Sequence, residues 1–450
     1  MGGPRPHLSK SRYLAGVQCA KRLWLECHSP QARAEPTPAE QALFAQGHEV
    51  GRLATLRHPG GVRVDDDPRR HARAVQATAA AMQAAAPAIF EAAFEHDGVR
   101  VRVDILARSG RGWRVEEVKS SLSVKEVHVD DLAIQLHVLG GAGVAVAAAG
   151  ITHLDRDYVR GAELDVHGLF RFADLLDTAR AAERAVAPNL AAWRAQLARA
   201  EPPAVAPGPQ CDRPYACPFA DLCVPARPDD APPGGGERVV PGVRARLDAL
   251  AYPVHFLDFE TFAPAIPRYP GTRPYQTLPF QWSDHVLDEG GHLTQREFLH
   301  GEDSDPRRPF LDALLAALGD AGSIVVYSSY EQRQLEALAR AFPADAAGIE
   351  RVVARIVDLL PIVRAHYQHP AMHGSFSLKA VAPVLAPDLV YDGIAEGTAA
   401  SLAYEELIAP ATAPPRRADL AAALRRYCAT DTLALVRVSE ALRARDGAGA

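Results

Sequence analysis

Asp104, Glu117 and Lys119 are the residues whose types and spacing point most directly to chemistry. They lie in residues 101–121, VRVDILARSGRGWRVEEVKSS, which read as two strands joined by a Ser-Gly-Arg-Gly turn. Gly110 and Gly112 are free to take the positive φ that a tight hairpin needs. In the first strand Asp104 leaves the apolar face expected of Val101, Val103 and Ile105. In the second, Glu117 and Lys119 stand two apart and project from one face. Two carboxylates and an ammonium around one point suit a hard divalent cation, magnesium or manganese. The lysine is then placed to orient or deprotonate an attacking water, or to steady charge developing on phosphorus. The pattern is short and common, and a solvated strand edge carries the same residue types.

A second acidic set lies in the other half of the chain. Residues 252–262, YPVHFLDFETF, read as an apolar strand in which Val254, Phe256, Asp258 and Glu260 share a face. Two inward carboxylates there are costly unless they are paired or bound to metal. Glu331 opens a helix in SSYEQRQLEALARAF, where a first-turn glutamate also has the ordinary role of compensating the helix dipole. In the last helix, 420–442, Leu424, Tyr427, Cys428, Leu435, Val438 and Leu442 form an apolar stripe, and Asp431 falls on that stripe. Surface charge does not explain an acid at that position.

Three of the six cysteines, Cys211, Cys217 and Cys223, fall in QCDRPYACPFADLC. The C-x-x-C knuckles of zinc sites are absent. Pro214 and Pro218 stiffen a loop that presents thiolates, which suits an iron–sulfur cluster completed by a cysteine from elsewhere, Cys19 ahead of Cys27. A zinc ribbon and a chance group of buried thiols are the alternatives.

The elements that must position these groups follow an α/β pattern. A basic and aromatic helical stretch, 8–27, holds Cys19 at its middle, and an amphipathic helix, 38–58, carries Gly47, His48 and Glu49. A helix at 72–86 and strands at 87–95 and 99–107 lead into the hairpin. After it come a helix, 124–139, with Gln135 among apolar residues, a strand, 144–149, and a long helical stretch, 167–200. Arg227 begins the proline- and glycine-rich RPDDAPPGGGE, and 227–251 is the expected linker between domains at 1–226 and 252–450. Beyond the strand 252–262, the second domain continues with a strand at 323–327 and segments 356–363 and 377–385.

With 450 residues the chain exceeds one typical core, in keeping with two domains. The net charge of −6 excludes a global basic field, so any surface for nucleic acid is local. No run approaches the ~18–20 apolar residues of a membrane span, and MGGPRPHLSKSRY lacks the apolar core of a secretory signal. A cytoplasmic protein without a membrane partner is expected, with cysteines serving as ligands or free thiols.

Cys19, Gly47-His48, Asp104, Glu117-Val118-Lys119, Gln135 and the Cys211–Cys217–Cys223 group, in that order, make residues 8–223 resemble the RecB-like nucleases of the PD-(D/E)XK superfamily, in their iron–sulfur subgroup. The resemblance implies a restriction-endonuclease-like mixed-sheet domain in which His48, Asp104, Glu117 and the Val118 carbonyl bind metal. It makes Lys119 the catalytic lysine and Gln135 a residue supporting that lysine or the DNA. It also implies that Cys19, Cys211, Cys217 and Cys223 hold a [4Fe–4S] cluster tying the ends of the domain together. The tyrosine that commonly follows the glutamine has no counterpart, since His137 and Leu139 occupy that region.

Residues 252–442 resemble the DEDD exonucleases of the RNase H-like fold. Asp258-Phe-Glu260-Thr matches their first motif, and Tyr427-x-x-x-Asp431 the third motif of the tyrosine subclass. The resemblance implies four carboxylates on two metal ions and a tyrosine that orients the attacking water. The second motif departs from the pattern: Glu331 follows Tyr330 where an aspartate is usual, with Asp358 as a substitute. The whole chain resembles a bacterial family that fuses these two modules.

The expected activity is metal-dependent hydrolysis of phosphodiester bonds in DNA, with RNA as the alternative substrate, in repair, processing or defence. Mg2+ or Mn2+ and a [4Fe–4S] cluster are the expected cofactors. A non-catalytic nucleic-acid-binding scaffold with degenerate centres is the competing class. Lys10, Arg12, Lys21 and Arg22, interleaved with Tyr13 and Trp24, are expected to contact phosphates and bases, or else to form a solvated helix face. No G-x-x-x-x-G-K-[ST] occurs, so unwinding of long duplexes falls to a separate helicase.

Overall fold

The computed structural model describes residues 7–64, 67, 70–223, 236–390, 393–394 and 396–446. The chain divides into two units, Met1–Arg227 with Ala265–Tyr275, and Pro228–Pro264 with Gln276–Ala450. Both are α/β with mixed sheets, as expected of the fold class.

In the first unit, β1 (Leu8–Ser9), β2 (Val62–Arg63), β3 (Ala88–His96), β4 (Val99–Ser109), β5 (Gly112–Lys119), β6 (Val146–Leu154) and β7 (Phe170–Asp174) form one sheet in the order β2-β3-β4-β5-β6-β7. β1 lies parallel to the start of β4. The β4–β5 hairpin forms as the Gly-rich turn predicts, but its two glycines have different reasons. Gly110 takes a φ of +57°. Gly112 is required by close approach, because a Cβ there would meet the Ala145 carbonyl oxygen at 2.7 Å. β5 and β6 are parallel, so the chain must cross over, and the helix Val127–Gly141 does so. Leu132, Leu136 and Leu139 of that helix pack on Val101, Val103, Val115 and Ile151.

Val101, Val103 and Ile105 do not form one apolar face. Val103 pairs with Ala92 and Ile105 with Phe90, and between them Glu91 has a φ of +57°. The alternation breaks there: Val101 and Val103 join one core, whereas Ile105 and Ala107 face the other, with Val50, Leu53 and Leu154. Asp104 sits at the break. The expected helical stretch 167–200 instead begins with β7, followed by helices Leu176–Glu183 and Val186–Leu197. Phe-Arg-Phe at 170–172 has the period-two alternation of a strand.

The second unit contains β8 (Arg238–Val239), β9 (Val254–Phe262), β10 (Leu278–Leu287), β11 (Leu293–Leu299), β12 (Ile324–Val326), β13 (Ile356–Asp358) and β14 (Tyr367–Gln368). The main sheet runs β11-β10-β9-β12-β13, antiparallel from β9 to β11 and parallel from β9 to β13. Central β9 is covered on both faces. Val254 and Phe256 pack with Val438 and Leu442 of the helix Pro414–Asp446, and Leu257 and Phe259 with Phe310 and Leu314 of the helix Arg307–Leu318.

Two domain boundaries shift from the sequence expectation. Part of the expected linker, 236–251, is ordered structure of the second unit: β8 pairs with β14, and Val243 and Leu247 of the helix Val243–Asp248 are buried. Residues 227–235 of that linker lie outside the described residues. Segment 265–275, placed by sequence in the second domain, belongs to the first unit. There Ala265 is buried with Val50 and Leu154, and the Tyr275 hydroxyl bonds the Ser120 carbonyl oxygen and Gln46 Oε1. Among the described residues no helix is long and apolar enough to cross a membrane.

Candidate metal centres

Because β3 covers one edge of β4 from residue 99 to 107, β1 and β5 share the other edge. β1 takes Val99 and Arg100, and β5 begins at Ile105, leaving a gap around Asp104. In that gap Asp104 Oδ2 accepts a hydrogen bond from the Val118 amide at 2.7 Å. Lys10 follows β1 directly and opens the helix Lys10–Gln18, capped by Ser9. Its Nζ donates to Glu117 Oε1 at 2.8 Å and Oε2 at 2.7 Å. Lys119 Nζ bridges Glu117 Oε1 and Asp131 Oδ2, at 2.7 Å each. Gln135, one turn beyond Asp131 on the crossover helix, donates to Glu117 Oε2 at 2.9 Å.

The structure therefore brings Asp104, Glu117, Val118, Lys119 and Gln135 together and adds Asp131 and Lys10. Burial alone would raise the Glu117 carboxyl, but Lys10 and Lys119 hold it below the usual carboxylate range. Burial opposes the charge on Lys119, and Glu117 and Asp131 overcome it, keeping Lys119 an ammonium well above neutral pH. It is thus suited to orient and to balance charge, and poorly suited to take a proton. Burial and the Glu117 charge push Asp104 up to about 7.

His48 is not part of this group. Val50, Leu53 and Ala54 turn the helix Pro38–Thr55 toward the core and leave His48 exposed. Among the described residues, no hydrogen bond or ion pair joins it to Asp104 or Glu117, and the three do not form a compact ligand set. His58 does reach the hairpin, 3.3 Å from Glu116. Glu116 is fully buried, bonded by Thr152 Oγ1 at 2.7 Å and paired with Arg114 at 2.6 Å. Burial opposes its charge, yet His58, Thr152 and Arg114 bring it down to about 2. Of two adjacent glutamates, one anchors the sheet and the other enters the site.

The helix expected at 8–27 breaks at Cys19, whose extended backbone (φ −163°, ψ 123°) separates Lys10–Gln18 from Ala20–His28. Cys19, Cys211, Cys217 and Cys223 line one cavity together with Lys21 and Arg22. Gln18 Nε2 ties the two chain segments by donating to the carbonyls of Gln210 and Tyr215, at 2.8 Å each. Cys27 packs against the apolar core, as Cys217 also does, but does not line this cavity. A zinc ion holding sulfurs at ~2.3 Å would space them roughly 3.8 Å apart. Among the described residues, no three of these thiols lie within 4.8 Å of one another.

Five of the basic and aromatic residues are engaged within the fold. Lys10 is bonded within the carboxylate centre. Tyr13 and Trp24 are buried, Tyr13 edge-on to Trp193 and Trp24 stacked on His28, so neither is presented to a base. Arg12 donates to the His7 carbonyl at 2.6 Å, and Arg22 bonds Gln18 and lies 3.6 Å from Glu26.

In the second unit, β9 carries Asp258 and Glu260, the helix Tyr330–Ala341 carries Glu331 in its first turn, and Pro414–Asp446 carries Tyr427, Cys428 and Asp431. All are buried except Asp258, which is partly exposed. Lys379, from the helix Leu378–Leu385, donates to Asp431 Oδ1 at 2.5 Å and lies 4.5 Å from the Tyr427 ring centre. The Cys428 thiol is 3.8 Å from Asp258 Oδ2. Among the described residues no ion pair involves Asp258, Glu260 or Glu331, and Glu331 Oε2 is buried without a hydrogen-bond partner. Burial first, and then the neighbouring carboxylates, raise Asp258, Glu260 and Glu331 well above the carboxylate range. Burial and Asp431 likewise keep the Tyr427 hydroxyl protonated. Asp358 is otherwise engaged, accepting from the amides of Ser328 and Leu360 at 2.9 Å each as the cap of the helix Leu359–His366. A cavity of about 630 Å³ adjoins the site, lined by Asp258, Asp431, Lys379, Arg364, Ser375 and Ser377 among others.

Sequence reasoning missed Asp131, Lys379 and the site role of Cys428. Asp131 stands four residues before Gln135, a helical-face signal that was available. Lys379 lies in an apolar segment with no such signal. Cys428 reads as one more apolar residue of its stripe.

A family model, the domain of unknown function DUF2779, matches residues 255–377. The match takes in Asp258, Glu260 and Glu331 and stops short of Lys379, Tyr427 and Asp431. No curated protein matches the chain.

Proposed function

We propose that the chain is a metal-dependent nucleic-acid phosphodiesterase with one centre in each unit, PD-(D/E)XK-like in the first and DEDD-like on an RNase H-like sheet in the second. The observation that carries this reading is the approach of Asp258 and Glu260 to one point, with the buried Glu331 within Coulombic reach of both and no ion pair to any of the three among the described residues. Like charges brought out of water repel, and a divalent cation is the ordinary way to hold them together. The donor set fits magnesium or manganese, with Asp258, Glu260, Glu331 and Asp431 as ligands. In the first unit the ligands would be Asp104, Glu117 and the Val118 carbonyl. When bound, such ions neutralise phosphate charge and lower the pKa of water.

The chain's own residues do the positioning. Gln135 and Lys10 fix the Glu117 carboxylate, and Lys119, kept charged between Glu117 and Asp131, offers its ammonium to developing phosphate charge. In the second unit Lys379 holds Asp431 and packs on Tyr427. The Tyr427 hydroxyl stays neutral and orients the nucleophile by hydrogen bonding. The four thiols around one cavity, set wider than a single zinc requires, support a structural [4Fe–4S] cluster joining residue 19 to 211–223. Lys21 and Arg22 beside that cavity support a local phosphate contact.

The test is incubation of labelled single- and double-stranded DNA and RNA with the full chain and Mn2+ or Mg2+. Cleavage that a chelator abolishes is expected, and the absence of cleavage of every substrate would overturn the enzyme reading. Anaerobic purification is expected to give a brown protein containing iron and sulfide. A colourless, iron-free protein would remove the cluster. One observation favours the scaffold reading for the first unit: both Glu117 oxygens are already bonded, by two lysines and Gln135. Wild-type cleavage that Lys119→Ala leaves unchanged is the outcome that reading predicts.

A further inference from the structure

We infer that Cys428 makes the second-unit centre a site for a zinc-class cation, held by Asp258, Glu260 and the Cys428 sulfur. This inference rests on the metal-centre reading above and names the class of cation that the centre selects.

Ligand atoms of Asp258, Glu260 and Cys428 all lie within 4.8 Å of one another. A cation with oxygens at ~2.1 Å and sulfur at ~2.3 Å spaces its donors roughly 3–3.6 Å apart. Moving each donor inward by about an ångström therefore closes the site, which is within reach of rotamer adjustment. Cys428 is fully buried in the core of its unit. Its thiol there meets the Asp258 main-chain oxygen at 3.7 Å and Oδ2 at 3.8 Å. A buried thiol is usually a small hydrophobe; this one also faces Asp258 Oδ2 and a Glu260 ligand atom.

An independent observation points to a ligand at the same place. Glu331 is 3 % exposed, its Oε2 has no hydrogen-bond partner among the described residues, and it lies within Coulombic reach of Asp258 and Glu260. An orphaned buried carboxylate oxygen within Coulombic reach of two carboxylates, which themselves lie at ligand spacing from a thiol, is a donor set short of its cation.

Carboxylates alone suit Mg2+ and Mn2+, whereas a sulfur donor shifts preference toward softer ions. On binding, the sulfur–metal bond replaces the S–H bond and the proton leaves to solvent, with no change of oxidation state. The centre then discriminates between cations by softness as well as by charge.

The test uses the full chain stripped of metal by a chelator and titrated with Cd2+, whose thiolate complexes absorb in the ultraviolet. The other five cysteines contribute a background, so the readout is the difference between wild type and Cys428→Ser. That variant is expected to lose thiolate–cadmium absorbance worth one bound ion, and Zn2+ affinity at this site is expected to fall on the order of tenfold or more. Cys428→Ala must repeat the loss. Asp258→Asn, which leaves the cysteine in place, must lose the same absorbance, so the result does not hinge on one variant's folding. Superimposable cadmium spectra for wild type and Cys428→Ser, or full absorbance in Asp258→Asn, overturns the inference. If Mn2+ still stabilises the wild type but not Asp258→Asn while no Cys428-dependent absorbance exists, the softness claim alone fails. If neither cation registers at Asp258, the metal-centre reading fails with it.

Discussion

In the first unit, Glu117 has two ammoniums within 2.8 Å and Asp131 pairs with both, Lys119 at 2.7 Å and Lys10 at 3.4 Å. In the second, Lys379 bonds Asp431, while Asp258, Glu260 and Glu331 have no ion pair among the described residues. The first centre balances most of its buried charge with groups from its own chain, so its geometry is set before a cation arrives. The second leaves its carboxylates in mutual repulsion, and on the proposed reading a bound cation would become part of the structure. Chain-supplied balance would then give rigidity at the cost of competition for Glu117, whereas deferred balance would tie stability to metal concentration.

The contrast is broken or sharpened most strongly by Glu117→Ala. Removing it leaves Lys10, Lys119 and Asp131 partly uncompensated, and unfolding in urea should show a loss of about 3 kcal/mol. A neutral effect would mean that the lysines are simply solvated. Asp104 gives a pH signature. Its proton is bound more tightly in the folded chain, where its pKa is about 7, than in the unfolded one. The stability it contributes is therefore complete below about pH 4 and lost as the pH rises through 7. In metal-free buffer Asp104→Asn should match wild type near pH 4 and exceed it by about 3–4 kcal/mol at pH 8. A constant difference across that range would contradict the assignment.

Glu331→Gln tests the other side with the opposite sign. Removing one of three repelling carboxylates should stabilise the metal-free chain by about 1 kcal/mol and reduce the further gain on adding Mn2+. Destabilisation in a thermal melt would show that Glu331 is already compensated. The smallest effect is expected at His48, exposed and apart from the hairpin. His48→Ala should change the rate of Mn2+-dependent cleavage by no more than about twofold, against the tenfold or more expected of a metal ligand.

The contrast also explains what was legible in the sequence. The Glu-x-Lys spacing, Gln135 on an apolar helix, the two carboxylates of β9 and the acid at position 431 are local patterns, and each returns on the element expected. Lys10 was not legible as a site residue because it reaches Glu117 through the parallel pairing of Leu8 with Val99, a contact between distant parts of the chain. Asp104 is positioned by a break in strand alternation opposite Glu91, which binary patterning does not reveal. The assignment of 265–275 to the first unit is likewise a tertiary fact carried by Ala265 and Tyr275. His48 failed for the opposite reason: the apolar spacing of Val50, Leu53 and Ala54 already turned it outward, and the resemblance outweighed that signal.

The central claim, two metal-dependent phosphodiesterase centres in one chain, is tested most directly by one cleavage assay on Lys119→Ala, Asp258→Ala and the double variant, with Mn2+ and the substrate that wild type cuts. Each single variant is expected to lose its own share of activity, on the order of a hundredfold or more for the centre it removes, and the double variant to lose all of it. Full wild-type cleavage by the double variant would contradict the account.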